Sequence, residues 1–134
     1  MDAEIKKQWL ARLRDPETKQ CQEMLTQTEA DGTPSFCCLG VLTNIYADKE
    51  HIHFAGSVSV LRDGRGEALP EEVGNWAGIT DPSPTVRTTP EVMERVAAAG
   101  KYNVTHHQEV IPLAVLNDSG FSFAEIADLI EAQL

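Results

Sequence analysis

The sequence contains no apolar run that approaches the ~18–20 residues needed to cross a bilayer as a helix, so we expect no membrane segment. Its first seven residues include no apolar stretch of the secretory type, and we therefore expect no signal peptide and a cytoplasmic location. Three cysteines, an odd number, exclude a disulfide framework and indicate reduced thiols. The composition, 42% apolar and 24% charged, is typical of a globular protein, and we predict one domain over residues 1–134.

The sequence also lacks the motifs that identify common enzymes. It has no P-loop, no dinucleotide-binding glycine pattern, no Gly-x-Ser-x-Gly elbow and no set of kinase motifs. No reaction can be named from these residues, and we assign no cofactor or metal to the chain. A role in binding is therefore favoured over catalysis.

Positive charge is scarce. The chain has 21 acidic and 11 basic residues, a net charge of −10, and such a surface repels the phosphates of nucleic acids. After Lys101 there is no further Lys or Arg, whereas five carboxylates follow. This segment is either a solvated acidic helix or a face presented to a basic partner, for example a nucleic-acid-binding protein. The second interpretation gives four candidate partner-binding residues, namely Asp118, Glu125, Asp128 and Glu131.

Hydrophobic periodicity and turn residues predict an α+β fold, a small antiparallel sheet packed with about four to five helices. The helices are expected over residues 3–14, 36–47, 69–77 and 88–100, with a last one after a capping box formed by Ser122 and Glu125. The second of these is apolar on most sides and should be the most buried. Strands are expected within 18–29, which ends in an Asp31-Gly32 turn, within 51–61, and within 102–110.

Cys37 and Cys38 are the candidate nucleophiles, because a helix N-terminus can lower the pKa of a thiol. Adjacent helical positions point about 100° apart, so the two sulfurs would not act on one substrate atom. Both lie among apolar residues, and free cysteine is often buried. We therefore predict structural thiols and keep a thiol-dependent or zinc-dependent enzyme as an alternative.

Four histidines could contribute to a zinc site. His51 and His53 would share one face of a strand, and His106 and His107 follow later in the chain. Their spacing lacks the regularity of a Cys-x-x-Cys or His-Glu-x-x-His motif. Ordinary polar histidines are therefore favoured.

A second alternative is a protein that sequesters an anionic nucleotide signal. Arg62 and Arg65 lie in a glycine-containing loop and, with Arg87, could hold phosphates. Trp76 or Tyr102 would stack on the base. Such sites are often built between subunits, so a homo-oligomer is compatible with this alternative.

Three blocks of sequence carry a resemblance. They are Phe-Cys-Cys-Leu-Gly-Val-Leu at 36–42, Leu-Pro-Glu-Glu-Val-Gly-Asn-Trp-Ala-Gly-Ile at 69–79, and Leu-Asn-Asp-Ser-Gly-Phe-Ser-Phe-Ala-Glu-Ile-Ala at 116–127. Together they resemble a family of small phage and prophage proteins that has no assigned activity. The resemblance implies a cytoplasmic accessory protein made during infection, and such proteins often inhibit a host defence protein by binding it.

Overall fold

The computed structural model describes residues 1–52, 54, 68–105 and 107–134. In these residues the chain forms six helices and two separate two-stranded antiparallel sheets, so the predicted α+β class is confirmed. The elements in chain order are α1 (Ala3–Arg14), β1 (Thr26–Thr28), β2 (Pro34–Phe36), α2 (Cys38–Lys49), α3 (Glu71–Ala77), β3 (Thr85–Arg87), α4 (Pro90–Ala99), β4 (Val110–Pro112), α5 (Leu113–Asp118) and α6 (Phe123–Gln133).

Helix α2 lies at the centre of the core, as its apolar sequence predicted. Most of its residues are buried, and α1, α3, α5 and β2 pack around it. Gly40 allows one of these contacts, because a Cβ at this position would collide with the carbonyl oxygen of Leu25. A further link comes from Trp9 of α1, whose indole Nε1 donates a hydrogen bond of 2.9 Å to the carbonyl oxygen of Cys38.

The bounds of α1 agree with the prediction, and local capping explains why. The side chain of Asp2 accepts a hydrogen bond from the backbone N–H of Ile5 at 2.9 Å, and the helix ends before the Asp15-Pro16 pair. Helix α6 also begins as predicted. Ser122 and Glu125 form both hydrogen bonds of a capping box.

Several predicted elements were wrong in extent. Helix α2 begins two residues later than expected, because the backbone of Phe36 bonds to Lys19 and Cys21 and stays extended in β2. One small sheet was predicted, whereas two are present, and their strands are only three residues long. The six-residue helix α5 was not predicted.

The strands expected later in the chain also need correction. In the described part of 102–110, strand structure begins only at Val110, because Gln108 turns back to hydrogen-bond with Thr105. In the stretch 51–61, the described residues 51, 52 and 54 are not in a strand, and the remaining residues lie outside the described part.

The sheet formed by β3 and β4 has glutamine side chains at both outer edges. The amide of Gln133 accepts a hydrogen bond from the N–H of Arg87 at 2.6 Å and donates one to its carbonyl at 3.4 Å. On β4, the amide of Gln108 donates to the carbonyl of Val110 at 2.8 Å, and Pro112 has no N–H to offer. The two glutamine side chains thus form hydrogen bonds with backbone groups that a further strand could otherwise pair with.

Candidate functional site

A cavity of about 640 Å³ lies beside α3, and this volume is within the range of ligand-binding sites. Its apolar lining includes Leu25, Leu69 and Ile79, and its polar lining includes Glu71 and Glu72. The other lining residues in the described part are Ala68, Pro70, Gly74, Asn75, Thr80 and Pro82.

The walls of this cavity are held by backbone hydrogen bonds. The N–H of Leu69 donates to the carbonyl of Pro82 at 2.7 Å and joins the two ends of the segment 69–82. Beyond α3, Gly78 adopts φ +73 and the N–H of Ile79 returns to the carbonyl of Gly74 at 2.8 Å. A Cβ on Gly74 would lie 2.6 Å from the carbonyl oxygen of Ile79, so only glycine permits this close return.

The inner face of α3 fixes the cavity to the core. Val73 and Ala77 are fully buried, and α3 packs against α2. The rings of Trp76 and Tyr46 lie 5.4 Å apart in a tilted arrangement. The α3 side of the cavity is therefore packed on the core of the fold.

Two adjacent carboxylates, Glu71 and Glu72, line the cavity in the first turn of α3. Both residues are exposed, and neither has an ion-pair or hydrogen-bond partner among the residues that the structure describes. Acidic side chains in the first turn of a helix interact favourably with the helix dipole, so two adjacent carboxylates are compatible with the start of α3. They remain available to a cation outside the chain.

The carboxylates of α6, which the sequence suggested as a partner-binding face, are held within the chain. A single guanidinium, that of Arg14, lies 2.8 Å from Asp128 and 2.9 Å from Glu131. Glu125 forms a two-point contact with Arg95 at 2.7 and 3.3 Å, and this contact raises the pKa of Arg95 and lowers that of Glu125. Much of the acidity of this helix is thus compensated by α1 and α4.

Asp118 does not share that face. It is 2% exposed, and its carboxylate accepts hydrogen bonds from the N–H of Glu23 at 2.9 Å and the hydroxyl of Tyr102 at 2.9 Å. Glu23 has a positive φ of +67, which is unusual for a residue with a side chain. Asp118 therefore fixes a strained turn within the fold, and this placement corrects the expectation that it faces a partner.

The structure describes three of the five residues proposed to hold a nucleotide, and their contacts are separate. Trp76 packs on Tyr46, Tyr102 bonds to Asp118, and the backbone of Arg87 bonds to Gln133. Arg62 and Arg65 lie outside the described residues. These contacts do not bring the three together, and the nucleotide site stays a prediction.

The thiols are buried, as predicted. Cys37 is 1% exposed, and burial raises its pKa to about 12. Burial also raises the pKa of Cys38 well above the ordinary value, and that of Cys21 to a lesser degree. The sulfur of Cys37 accepts a hydrogen bond from the N–H of Gly40 at 3.4 Å, so this residue caps α2.

The histidines are only partly described. His51 and His107 are exposed, whereas His53 and His106 lie outside the described residues. Within residues 1–52, 54, 68–105 and 107–134, the structure places no three potential metal ligands together. None of the helices described in these ranges is both long and apolar enough to traverse a membrane.

The cavity and its two carboxylates were not predicted from the sequence. The Leu-Pro-Glu-Glu sequence at 69–72 was used to predict the start of a short helix and as part of the family resemblance, and neither use indicated a binding site. Leu25 and Pro82 both line the cavity but are far apart in the sequence, so no local sequence pattern indicated the cavity.

Comparisons with known proteins give one result. No curated protein and no solved structure matches the chain. The model of one family, described as Domain of unknown function (DUF8296), matches residues 1–134. The chain therefore belongs to the family of the domain of unknown function DUF8296.

Proposed function

We propose that this protein acts by binding another protein, and that the cavity beside α3 receives a segment of that partner. The observation that carries the proposal is the cavity itself, about 640 Å³ in volume with an apolar lining from Leu69 and Ile79. The bond between Leu69 and Pro82 and the packing of α3 on α2 fix its walls before binding. A prearranged apolar cavity with a few polar groups is typical of recognition sites.

The state of the thiols supports binding over thiol-dependent catalysis. The thiolate is the nucleophilic form, and burial disfavours it at both Cys37 and Cys38. Both sulfurs also have structural contacts, since Cys37 caps α2 and the Sγ of Cys38 lies 3.6 Å from the carbonyl of Leu113. These contacts support a structural role for both thiols in the core.

The partner is proposed to be a host protein, and an inhibited defence protein in particular. This part of the proposal depends on the resemblance of residues 36–42, 69–79 and 116–127 to small phage proteins. The resemblance also concerns the recognition site, because the middle block, residues 69–79, supplies most of the described residues that line the cavity.

The test compares two tryptophan variants. Thr80→Trp places a large ring on the cavity lining, whereas Ala98→Trp places one on the exposed side of α4 as the matched control. Each protein is immobilised in a bacterial lysate, captured proteins are quantified by mass spectrometry, and the main captured protein is purified and titrated directly. We expect binding by the parent and by Ala98→Trp, and loss of binding by Thr80→Trp. Equal binding by all three proteins would exclude the cavity as the site.

A further inference from the structure

We infer that the segment received by the α3 cavity carries a lysine or arginine beside an aliphatic residue. This inference rests on the proposed function and specifies the chemistry of the partner. The positive charge would lie against Glu71 and Glu72 at the cavity, and the aliphatic side chain would pack on Leu69 and Ile79.

The carboxylates of α6 and the two carboxylates at the cavity differ in their pairing. On α6, Glu125, Asp128 and Glu131 contact Arg95 or Arg14 at 2.7–2.9 Å. At the cavity, Glu71 and Glu72 have no such partner in the described part of the chain. The protein therefore pairs the carboxylates of the acidic helix that the sequence singled out and leaves Glu71 and Glu72 without a described partner beside the α3 cavity.

Covering these two charges has a cost that depends on the partner. A neutral apolar segment that filled the cavity would remove water from carboxylates without replacing its hydrogen bonds, which is unfavourable. An acidic segment would be repelled by them. A segment with an ammonium or guanidinium group offsets the loss of water with a charge-assisted hydrogen bond.

The lining of the cavity is both apolar and acidic, which suits a long basic side chain. Lys and Arg have apolar stems that pack on hydrophobic surface while the charged group stays at the edge. The cavity offers both surfaces, since Leu25, Leu69 and Ile79 line it together with Glu71 and Glu72. The net charge of −10 adds long-range attraction for a basic partner.

The test uses three terminally blocked pentapeptides, Ser-Leu-Arg-Leu-Ser and its versions with Gln or Glu at the centre. Binding is followed by amide chemical shifts of residues 69–82. We expect the Arg peptide to bind about tenfold more tightly than the Gln peptide, with the preference reduced by added salt. The Glu peptide should not bind measurably.

Two double variants separate local recognition from overall charge. Glu71→Gln with Glu72→Gln should remove the preference for Arg. Glu91→Gln with Glu94→Gln changes the net charge by the same amount on α4, where neither carboxylate lines the cavity, and should leave the preference intact.

The outcomes distinguish this inference from the proposed function. If the Arg and Gln peptides bind equally, the charge preference is wrong and the cavity remains the binding site. The same conclusion follows if no peptide binds although Thr80→Trp abolishes capture of the partner. If no peptide binds and Thr80→Trp leaves capture unchanged, both are wrong.

Discussion

The side-chain oxygen of Asn117 accepts a hydrogen bond of 3.2 Å from the backbone N–H of Cys38, 79 positions earlier in the chain. The same side chain accepts from the amide of Gln20 at 2.8 Å and donates to the carbonyl of Cys21 at 2.8 Å. Asn117 is fully buried, so this one amide joins the start of α2, the end of α5 and the segment before β1. It is a polar connection between three segments of the core.

Replacing Asn117 with alanine should destabilise the protein by about 3 kcal/mol, because it leaves a buried amide and a buried carbonyl without partners. Urea unfolding measures this loss. The control is Ser119→Ala, two residues away, since the hydroxyl of Ser119 is buried and has no hydrogen-bond partner among the described residues. That change should alter the free energy of unfolding by less than about 0.5 kcal/mol. A loss below about 1 kcal/mol in the Asn117 variant would show that water replaces the amide.

Gly40→Ala tests the close contact between α2 and the backbone of Leu25, which precedes β1. Alanine is the better helix former by about 1 kcal/mol, so helix propensity alone predicts a more stable protein. The new methyl group would collide with the carbonyl of Leu25, and we expect the collision to dominate, for a net loss of about 2 kcal/mol. Asn44→Ala, on the less buried side of the same helix, is the control. A more stable Gly40 variant in thermal unfolding would show that the Leu25 backbone moves aside easily.

The elements that could be predicted are those with local signals. Asp2 and the Ser122–Glu125 pair define the starts of α1 and α6 within a few residues of sequence. Strands of three residues are too short to show alternation. Helix α5 was missed because it follows Pro112 directly and has no side-chain cap.

The candidate site was harder to predict, because charge counts do not reveal ion pairs. Arg14 and Asp128 are 114 positions apart, yet their contact decides whether α6 presents a free negative face. The burial of Asp118 likewise depends on Glu23 and Tyr102, which are distant in sequence. Only the folded chain shows that these α6 carboxylates are paired, whereas Glu71 and Glu72 at the cavity have no partner among the described residues.

The thiols give a chemical prediction. At about pH 8, a thiol reagent should modify Cys37 and Cys38 in the folded protein only as fast as the protein unfolds, because both are buried and burial raises the pKa of each. Mass spectrometry of peptides after timed labelling measures the rates. The added thiol of an Ala98→Cys variant should react at once, as should all thiols in urea. Rapid modification of Cys37 would return a nucleophilic role to consideration.

The capping box predicts how stability depends on pH. Arg95 and Ser122 lower the pKa of Glu125 in the folded protein below its ordinary value of 4.5. Because its pKa is lower in the folded protein, ionised Glu125 stabilises the fold at pH values above the pKa that it has in the unfolded chain. This contribution is lost as the pH falls through the pKa of Glu125 in the folded protein. Glu125→Gln can still close the capping box but loses the charge contact with Arg95, so it should be less stable than the parent at neutral pH by about 0.5 kcal/mol. The difference should shrink when urea unfolding is repeated below about pH 4.5. Glu94→Gln, on α4, provides the control, and a difference that persists in acid would contradict the assignment.

A last variant separates the two acidic surfaces. Asp128→Gln with Glu131→Gln removes both contacts of Arg14 and should leave stability nearly unchanged, since exposed ion pairs contribute little. If the α3 cavity is the recognition site, binding to the captured partner should be unchanged. Titration of the purified partner decides this, with Glu71→Gln and Glu72→Gln as the comparison. Loss of binding in the α6 variant would instead support the face first suggested by the sequence.

The glutamine contacts at the edges of the β3–β4 sheet affect how this protein behaves at high concentration. Short sheets with open edges are templates on which strands of other molecules assemble into fibrils. Here the amides of Gln133 and Gln108 satisfy Arg87 and Val110, and Pro112 contributes no donor. Val110, at 45% exposure the only large exposed hydrophobic residue in the described part, sits on such a closed edge. The glutamine contacts therefore disfavour fibril growth and the addition of a partner's strand at Arg87 and at the Val110 carbonyl.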